Sequence, residues 1–233
     1  MDESLLVKME QVLDTIPVDD GGGASRLKML VLADLIIARP VIRMVEIGVY
    51  RGRLLLPLAM LMQWREGGEV FGIDPYAALA AEQHDEHHRQ IDLEHWADEV
   101  DWDDLYEGVQ RTADQLGLQT RCNLVRARSE DVADQFAPGT IDLLHIDGNH
   151  DRDAVARDAE LYVPRVSVGG YVVLDDASWP SVHPVFEQMY AEHDLIFQLS
   201  DIKGIGVDDN AGNDFAVFRL RGEGSPERWT TAF

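Results

Sequence analysis

The chain has 233 residues, 45% of them hydrophobic and 27% charged, which is the composition of one compact domain and excludes a disordered chain. Its formal net charge of −23 repels phosphate backbones and anionic headgroups, so we expect neither nucleic acid nor a membrane as a partner. The single cysteine, Cys122, excludes an intrachain disulfide, and the polar start MDESLLVKME lacks the pattern of a signal peptide. We therefore expect a cytoplasmic protein.

The hydrophobic pattern predicts helices and strands that alternate along most of the chain. Predicted helices cover residues 4–16, 25–38 (capped by Ser25), 54–64, 77–116, a short segment after Ser129, 153–162 and 182–192. Predicted strands cover residues 41–48, 69–74, 122–127, 141–147, 171–176, 194–200 and 213–220. Strands separated by helices of this length indicate a parallel sheet with helices on both faces, an α/β fold. The last two strands follow each other closely and are predicted to pair antiparallel at one edge.

The organisation of the chain indicates one domain over residues 1–233, because no repeat or low-complexity linker divides it. Residues 1–40 supply N-terminal helices, and residues 77–117 form a helical, acidic insert. The apolar face of the first helix can pack on its own domain or on a second subunit, which leaves a homo-oligomer open.

The loop after the first predicted strand reads VEIGVYRGR and places two glycines four residues apart. In an open parallel sheet, ligands bind beyond the carboxyl ends of the strands, so this loop is a candidate cofactor site. Gly48 and Gly52 let the backbone approach a ligand closely, although a simple tight turn is the alternative. Tyr50 stands where the dinucleotide fingerprint needs its second glycine, which disfavours a nicotinamide cofactor.

The second predicted strand ends in FGIDPY, so that Asp74 lies where an acid can accept both hydroxyls of a ribose; a turn before Pro75 is the alternative. Together with the preceding loop, this pattern resembles the cofactor half of class I S-adenosylmethionine-dependent methyltransferases. The resemblance implies their Rossmann-like fold, a mostly parallel seven-stranded sheet with an antiparallel edge hairpin. The cofactor-binding candidates are Glu46, Gly48, Tyr50, Gly52 and Asp74, with Ser129 and Glu130 near the adenine. Ser129 is also placed to act only as a helix cap.

Three carboxylates follow the next two predicted strands. Asp147 closes the fourth strand, and Asp175 and Asp176 close the fifth, so all three are expected at the same edge of the sheet. Like charges at such range raise each other's pKa, and a bound cation relieves that repulsion. Oxygen ligands with open positions suit Mg²⁺ or another divalent cation. The alternative is that Asp175 or Asp176 caps the following helix.

His150 follows Asp147 by three residues, on the loop that leaves the fourth strand. An imidazole titrates near neutrality and can accept a proton from a hydroxyl group. His150 is therefore the candidate general base, and an exposed loop histidine is the alternative.

The segments HIDGNH, PRVSVGG and VVLDD make the resemblance more specific. Over residues 44–176 the chain resembles metal-dependent O-methyltransferases such as the catechol and macrolide-sugar enzymes. The resemblance implies that Asp147, Asp175 and Asp176 bind the metal and that His150, with Asp147, serves catalysis. Asp-Asp stands where the catechol enzymes have Asp-Asn, which favours the sugar-type relatives.

The activity implied is transfer of a methyl group from S-adenosylmethionine, assisted by Mg²⁺, to a hydroxyl of a small polyhydroxylated acceptor. The expected acceptor is a sugar unit of a natural product. Two alternatives stay open: N-methylation of an amine or amino sugar, and a non-catalytic cofactor-binding subunit.

The acidic insert has three interpretations. It forms a solvated helix, or it forms a lid over the substrate in which Trp96 or Trp102 supplies an apolar face. The third interpretation is a second metal site through His84 and His88, four residues apart on one helical face.

Overall fold

The computed structural model describes residues 3–18, 23–85, 93–200 and 214–222. The helices are α1 (Glu3–Thr15), α2 (Arg26–Ala38), α3 (Leu55–Trp64), α4 (Ala78–Ala81), α5 (Leu93–Glu99), α6 (Trp102–Gln115), α7 (Ser129–Val132), α8 (Arg152–Tyr162) and α9 (His183–Glu192). The strands are β1 (Arg43–Ile47), β2 (Glu69–Asp74), β3 (Cys122–Arg126), β4 (Ile141–Ile146), β5 (Val166–Asp175), β6 (Asp194–Leu199) and β7 (Phe215–Arg219).

The seven strands form one sheet in the order β3-β2-β1-β4-β5-β7-β6. Strands β1 to β5 pair in parallel, whereas β7 pairs antiparallel with both β5 and β6. The strand order reverses between β1 and β4, which places a ligand crevice at their carboxyl ends. The predicted α/β fold, with its antiparallel edge pair, is confirmed.

Two apolar layers cover the sheet. Helices α1, α2, α3 and α6 contribute buried residues to the layer on one face, and α7, α8 and α9 contribute to the layer on the other. Helix α2 begins where predicted, because the Ser25 hydroxyl accepts a hydrogen bond from the backbone N–H of Lys28 at 3.0 Å. Helix α1 packs on its own domain and buries Leu5, Met9 and Leu13.

A buried arginine ties the N-terminal helices to the loop after β1. The Arg53 guanidinium donates hydrogen bonds to the carbonyls of Leu13 and Ile16 at the end of α1, and to that of Ala24 at 2.8 Å. Carbonyls at a helix C-terminus have no partner within the helix, so a cation there stabilises both the helix end and its position.

Two predicted elements differ from the structure. The helix predicted over residues 77–116 is interrupted: α4 spans four residues, residues 82–85 are not helical, and the Asp101 carboxylate caps a separate helix, α6. Strand β5 begins at Val166 and not at Tyr171. Gly169 has a φ of +77°, and the pairing register with β4 shifts between Val166 and Tyr171, so the strand continues through an irregularity that the predicted strand did not include.

No helix in the described ranges has both the length and the apolar character needed to cross a bilayer.

Candidate active site

A cavity of about 330 Å³ opens at the carboxyl ends of β1, β2, β4 and β5. It brings together the two halves that the sequence predicted separately, the glycine loop and the carboxylates. The predicted residues that line it are Glu46, Gly48, Tyr50, Asp74, Ser129, Glu130, Asp147, His150, Asp175 and Asp176. Gly52 is not among its lining residues: a Cβ at Gly52 would lie 3.0 Å from Val109, on the side that faces α6.

The first glycine of the loop is needed because two backbones meet there. Gly48 has a φ of +84°, and a Cβ at this position would overlap the main-chain carbonyl of Asp147, whose carbon would be only 2.5 Å away. Only glycine combines that conformation with so close an approach. The contact places the cofactor loop directly against the loop that carries Asp147.

We expect Gly48→Ala to lower the free energy of unfolding by about 2–3 kcal/mol and to weaken binding of S-adenosylhomocysteine, since two loops must move apart. Gly117→Ala is the matched control, because Gly117 has a φ of +69° and a Cβ there would meet no described atom within 4 Å. Urea denaturation and ligand titration of both variants test the prediction. Equal losses in the two variants would show that the contact with Asp147 is unimportant.

Asp74 organises the glycine loop from the next strand. Its Oδ2 accepts hydrogen bonds from the backbone N–H of Val49 at 3.0 Å and of Tyr50 at 2.9 Å, and its Oδ1 accepts one from Tyr76 at 2.7 Å. Burial raises the pKa of this carboxyl against the effect of these bonds. The expected turn role of Asp74 is thus present, and its contact with a ribose stays a prediction.

Ser129 does not cap the helix that it begins, so that alternative is wrong. The N-cap of α7 is Arg128, and no side chain caps the helix. The Ser129 hydroxyl instead donates to the Asp158 carboxylate at 2.5 Å, and its carbonyl accepts from the Tyr162 hydroxyl at 2.8 Å. These bonds fasten the cavity wall at Ser129 to α8, while Glu130 lines the cavity beside it with its side chain half exposed.

The buried carboxyl group of Asp158 is expected to make the protein less stable as the pH rises. Burial raises its pKa to about 6 in the folded protein, so the folded state favours the protonated form. The raised pKa stabilises the folded protein fully below about pH 4. This stabilisation is lost as the pH rises through 6, which lowers the free energy of unfolding by up to about 3 kcal/mol. We expect Asp158→Asn to be the more stable protein at pH 8 and to lose this decline.

Urea midpoints at pH 4.5 and pH 8 test this prediction. Glu160→Gln, which removes an exposed carboxylate from the same helix, is the control and should keep the decline of the wild-type protein. An Asp158→Asn variant whose stability changes with pH as in the wild-type protein would contradict the assignment.

A buried lysine that was not predicted from the sequence holds one of the three carboxylates. Lys28 of α2 is fully buried, and its ammonium donates to Asp175 Oδ1 at 2.5 Å and lies 3.9 Å from Asp147 Oδ2. Burial lowers the pKa of Lys28, but the charges of Asp175 and Asp147 outweigh burial and keep it above the ordinary value. Lys28 therefore carries a positive charge beside two carboxylates that line the cavity, although it does not line the cavity itself.

The carboxylates differ in their ionisation. Burial raises the pKa of Asp175, but Lys28, Asp147 and His145 together outweigh burial, so that this pKa falls to about 2. Burial and the charge of Asp175 raise the pKa of Asp147 well above its usual range. Without another cation, Asp175 is therefore the ionised member of the pair.

The structure groups two of the predicted metal ligands with a histidine. Ligand atoms of His145, Asp147 and Asp175 lie within 4.8 Å of one another. Among the described residues Asp176 is outside that group, and its Oδ2 lies 3.7 Å from His150 Nε2.

The alternative that Asp175 or Asp176 caps the following helix is wrong. The N-cap of α9 is Val182, and no side chain caps this helix.

His150 is a buried histidine and not an exposed loop residue, which excludes that alternative. Its residue exposure is 9%, and its ring centroid lies 5.1 Å from that of Trp179, which also lines the cavity. His150 Nε2 is 3.7 Å from Asp147 Oδ1 and has no hydrogen-bond partner among the described residues. Burial lowers the pKa of His150 to about 4, so the ring is neutral and can accept a proton.

The acidic insert contributes one wall of the cavity. Asn149 donates hydrogen bonds to the carbonyls of Ala80 and Glu82, at 3.1 and 2.6 Å. The Asp151 carboxylate accepts from the backbone N–H of His84 at 2.7 Å. His84 lies in the non-helical segment 82–85, which removes the helical spacing assumed for the second metal site, and His88 lies outside the described residues.

Both predicted tryptophans of the insert line the cavity and contact the glycine loop. The Tyr50 ring centroid lies 5.4 Å from that of Trp96 and 6.3 Å from that of Trp102, and the two indoles are 5.6 Å apart. This aromatic cluster joins α5 and α6 to the loop after β1. Its function as a lid stays a prediction.

The site residues that were not predicted have visible signals in the sequence. Lys28 is a lysine in the otherwise apolar helix RLKMLVLADLIIA, Asp158 falls on the buried face of α8 with Val155 and Tyr162, and His145 lies inside a buried strand. A polar residue at a core position needs a partner, which makes it a candidate site residue.

The family model described as "Methyltransferase domain" matches residues 45–177, the part of the chain that carries both the glycine loop and the carboxylates. The chain belongs to this family and is a class I S-adenosylmethionine-dependent methyltransferase. No curated protein matches the sequence.

Solved structures agree in fold at low sequence identity. The O-methyltransferase TomG from Streptomyces achromogenes, in complex with S-adenosylmethionine, is 16% identical, with a TM-score of 0.61 over 95% of this chain and 92% of that chain. An O-methyltransferase from Bacillus cereus, in complex with S-adenosylhomocysteine, is 15% identical, with a TM-score of 0.60 over 95% and 92%. The O-methyltransferase NovP is 16% identical, with a TM-score of 0.60 over 92% and 80%. These likenesses establish the fold.

Proposed function

We propose that the enzyme transfers the methyl group of S-adenosylmethionine to a hydroxyl group of a small polyhydroxylated molecule, with the help of a divalent cation. The observation that carries this proposal is the position of His150. Its neutral ring lies in the cofactor cavity, with an unpartnered Nε2 between Asp147 and Asp176, at 3.7 Å from each. A hydroxyl must lose its proton to react, and the neutral ring of His150 has a lone pair that can accept it. Because burial lowers the pKa of His150 to about 4, this transfer depends on a bound cation that makes the hydroxyl more acidic.

Each bond and proton of the proposed methyl transfer can be assigned. The acceptor oxygen forms a bond to the methyl carbon, the carbon–sulfur bond of the sulfonium breaks, and S-adenosylhomocysteine leaves. The hydroxyl proton moves to His150 Nε2. Glu46 has one oxygen, Oε2, without a hydrogen-bond partner among the described residues, and it supports a contact with the cofactor's ammonium group.

The residues fit a divalent cation. When ionised, Asp147, Asp175 and Asp176 would together carry three negative charges against the one positive charge of Lys28, and a divalent cation would balance the remaining two. A divalent cation bound by Asp147 and Asp175 would lower the pKa of an acceptor hydroxyl. Both residues offer carboxylate oxygens, which are hard ligands suited to Mg²⁺.

The acceptor is proposed to be a sugar unit of a natural product. Trp96, Trp102 and Trp179 line the cavity and offer faces on which the apolar side of a sugar ring can stack. TomG is described as involved in tomaymycin synthesis, which supports this class of pathway. We also propose action in the cytoplasm, with the single free Cys122 as support.

A panel of sugar and phenolic acceptors with methyl-labelled S-adenosylmethionine tests the proposal, with a divalent cation or with EDTA. Label on oxygen, lost in EDTA, is the expected result. Label on nitrogen that persists in EDTA would establish the alternative N-methyltransferase. Tight binding of S-adenosylhomocysteine with no turnover on any acceptor would favour a non-catalytic subunit.

A further inference from the structure

His145 has an unusual environment for a strand residue next to a carboxylate cluster. Its side chain is fully buried, and its Nδ1 lies 3.3 Å from Glu46 Oε1 on the neighbouring strand β1. When Glu46 is ionised its carboxylate can only accept, so Nδ1–H of His145 donates to it and Nε2 keeps its lone pair. The ring therefore presents a metal-binding atom at its other end.

That atom, His145 Nε2, has no hydrogen-bond partner among the described residues. It lies 3.7 Å from Asp147 Oδ2, too far for a hydrogen bond. Two ligands that share one ion at about 2.1 Å each lie roughly 3–4 Å apart, so the spacing suits a shared cation. An unpartnered buried acceptor otherwise costs about 1–3 kcal/mol.

The neighbours of the group also have the arrangement of a metal site. A histidine that binds a metal usually donates its other N–H to a carboxylate, which fixes the ring, and Glu46 occupies that position. Lys28 likewise holds Asp175, through the bond at 2.5 Å. Two of the three ligands are thus oriented by buried partners.

We infer that His145 is a metal ligand with Asp147 and Asp175, and that this centre prefers a transition-metal ion such as Mn²⁺ or Fe²⁺ to Mg²⁺. Imidazole nitrogen is a poor ligand for Mg²⁺ and a good one for transition metals, whereas carboxylates bind both. The inference rests on the cation site of the proposed function. It does not require that the acceptor be a hydroxyl.

Mn²⁺ is the probe, because its unpaired electrons report a directly bound nitrogen by pulsed electron paramagnetic resonance. We expect the wild-type protein to show ¹⁴N coupling and to bind Mn²⁺ about tenfold or more tightly than Mg²⁺ in calorimetry. His145→Gln should lose the ¹⁴N coupling and about tenfold in Mn²⁺ affinity, with little change for Mg²⁺. His150→Gln should keep the coupling, as should the control His183→Gln on the exposed part of α9.

Failure to bind Mn²⁺, or ¹⁴N coupling that survives in His145→Gln, would overturn the inference. If His145→Gln does not fold, the ¹⁴N coupling is compared between the wild-type protein and His150→Gln. Loss of the coupling in His150→Gln would show that His150 binds the ion and would overturn the inference. Binding of S-adenosylhomocysteine and methyl transfer are measured separately. Nitrogen-coordinated Mn²⁺ without O-methylation would reject the proposed function and leave His145 as a ligand.

Discussion

Replacing Lys28 by Met is expected to lower the free energy of unfolding by about 3–5 kcal/mol at pH 7 in EDTA, because it leaves a buried carboxylate without its partner. The bond removed joins the fully buried ammonium to Asp175 Oδ1 at 2.5 Å. Met has a similar length, so the change removes the charge with little loss of volume. Urea denaturation of both proteins measures the difference.

The pH dependence of this loss identifies its cause. In the wild-type protein the pKa of Asp175 is lowered to about 2, so its stabilising contribution is present above pH 4 and is lost as pH falls through 2. Without Lys28 the pKa of Asp175 rises, and the loss of stability in the variant should shrink between pH 7 and pH 5.

The double variant Lys28→Met/Asp175→Asn should recover part of the lost free energy of unfolding, since no buried charge is left unpaired. A deficit below about 1 kcal/mol at pH 7 would contradict a buried ion pair.

Replacing Asp147 by Ala is expected to lower kcat/KM by about 10³-fold or more, which corresponds to about 4 kcal/mol of transition-state stabilisation. Asp147 lies between the proposed cation and the base, with its oxygens 3.7 Å from His145 Nε2 and from His150 Nε2. The variant loses a proposed metal ligand and the carboxylate that faces His150, the proposed general base. Steady-state kinetics with an acceptor from the panel measure the effect.

The affinity for S-adenosylhomocysteine should change by less than about threefold in Asp147→Ala, because the predicted cofactor contacts come from β1, β2 and α7. Asp114→Asn, on the exposed face of α6, is the control and should retain full activity. Substantial activity in Asp147→Ala would reject its place in the site. An equal loss of cofactor affinity would show that Asp147 acts through the cavity's shape.

The fold and the strand-end carboxylates could be predicted because they depend on local patterns. Buried β-branched runs identify parallel strands, and the ends of neighbouring parallel strands meet at one edge, which brings Asp147 and Asp175 into one cavity. Asp74 was located by the same rule, although its three bonds to backbone N–H groups were not foreseen.

Partners distant in sequence could not be predicted in the same way. Lys28 and Asp175 are separated by 147 positions, and no local pattern relates α2 to the end of β5. The single continuous helix expected over residues 77–116 is wrong for a different reason. Asp151 accepts a hydrogen bond from the backbone N–H of His84, and the Asp101 carboxylate caps a new helix, so the segment is interrupted. Tertiary hydrogen bonds there override helix propensity.

The cavity is expected to bind S-adenosylmethionine through the loop at Gly48, and the proposed roles of Glu46, Asp147 and His150 in methyl transfer depend on this. The most direct measurement is thermal unfolding of the protein with S-adenosylhomocysteine, and separately with NAD, each in Mn²⁺ and in EDTA. A ligand at 100 times its Kd adds about 2.7 kcal/mol to the free energy of unfolding, so a clear upward shift with S-adenosylhomocysteine alone is expected. No shift with S-adenosylhomocysteine beside a shift with NAD would contradict the assignment of the cofactor.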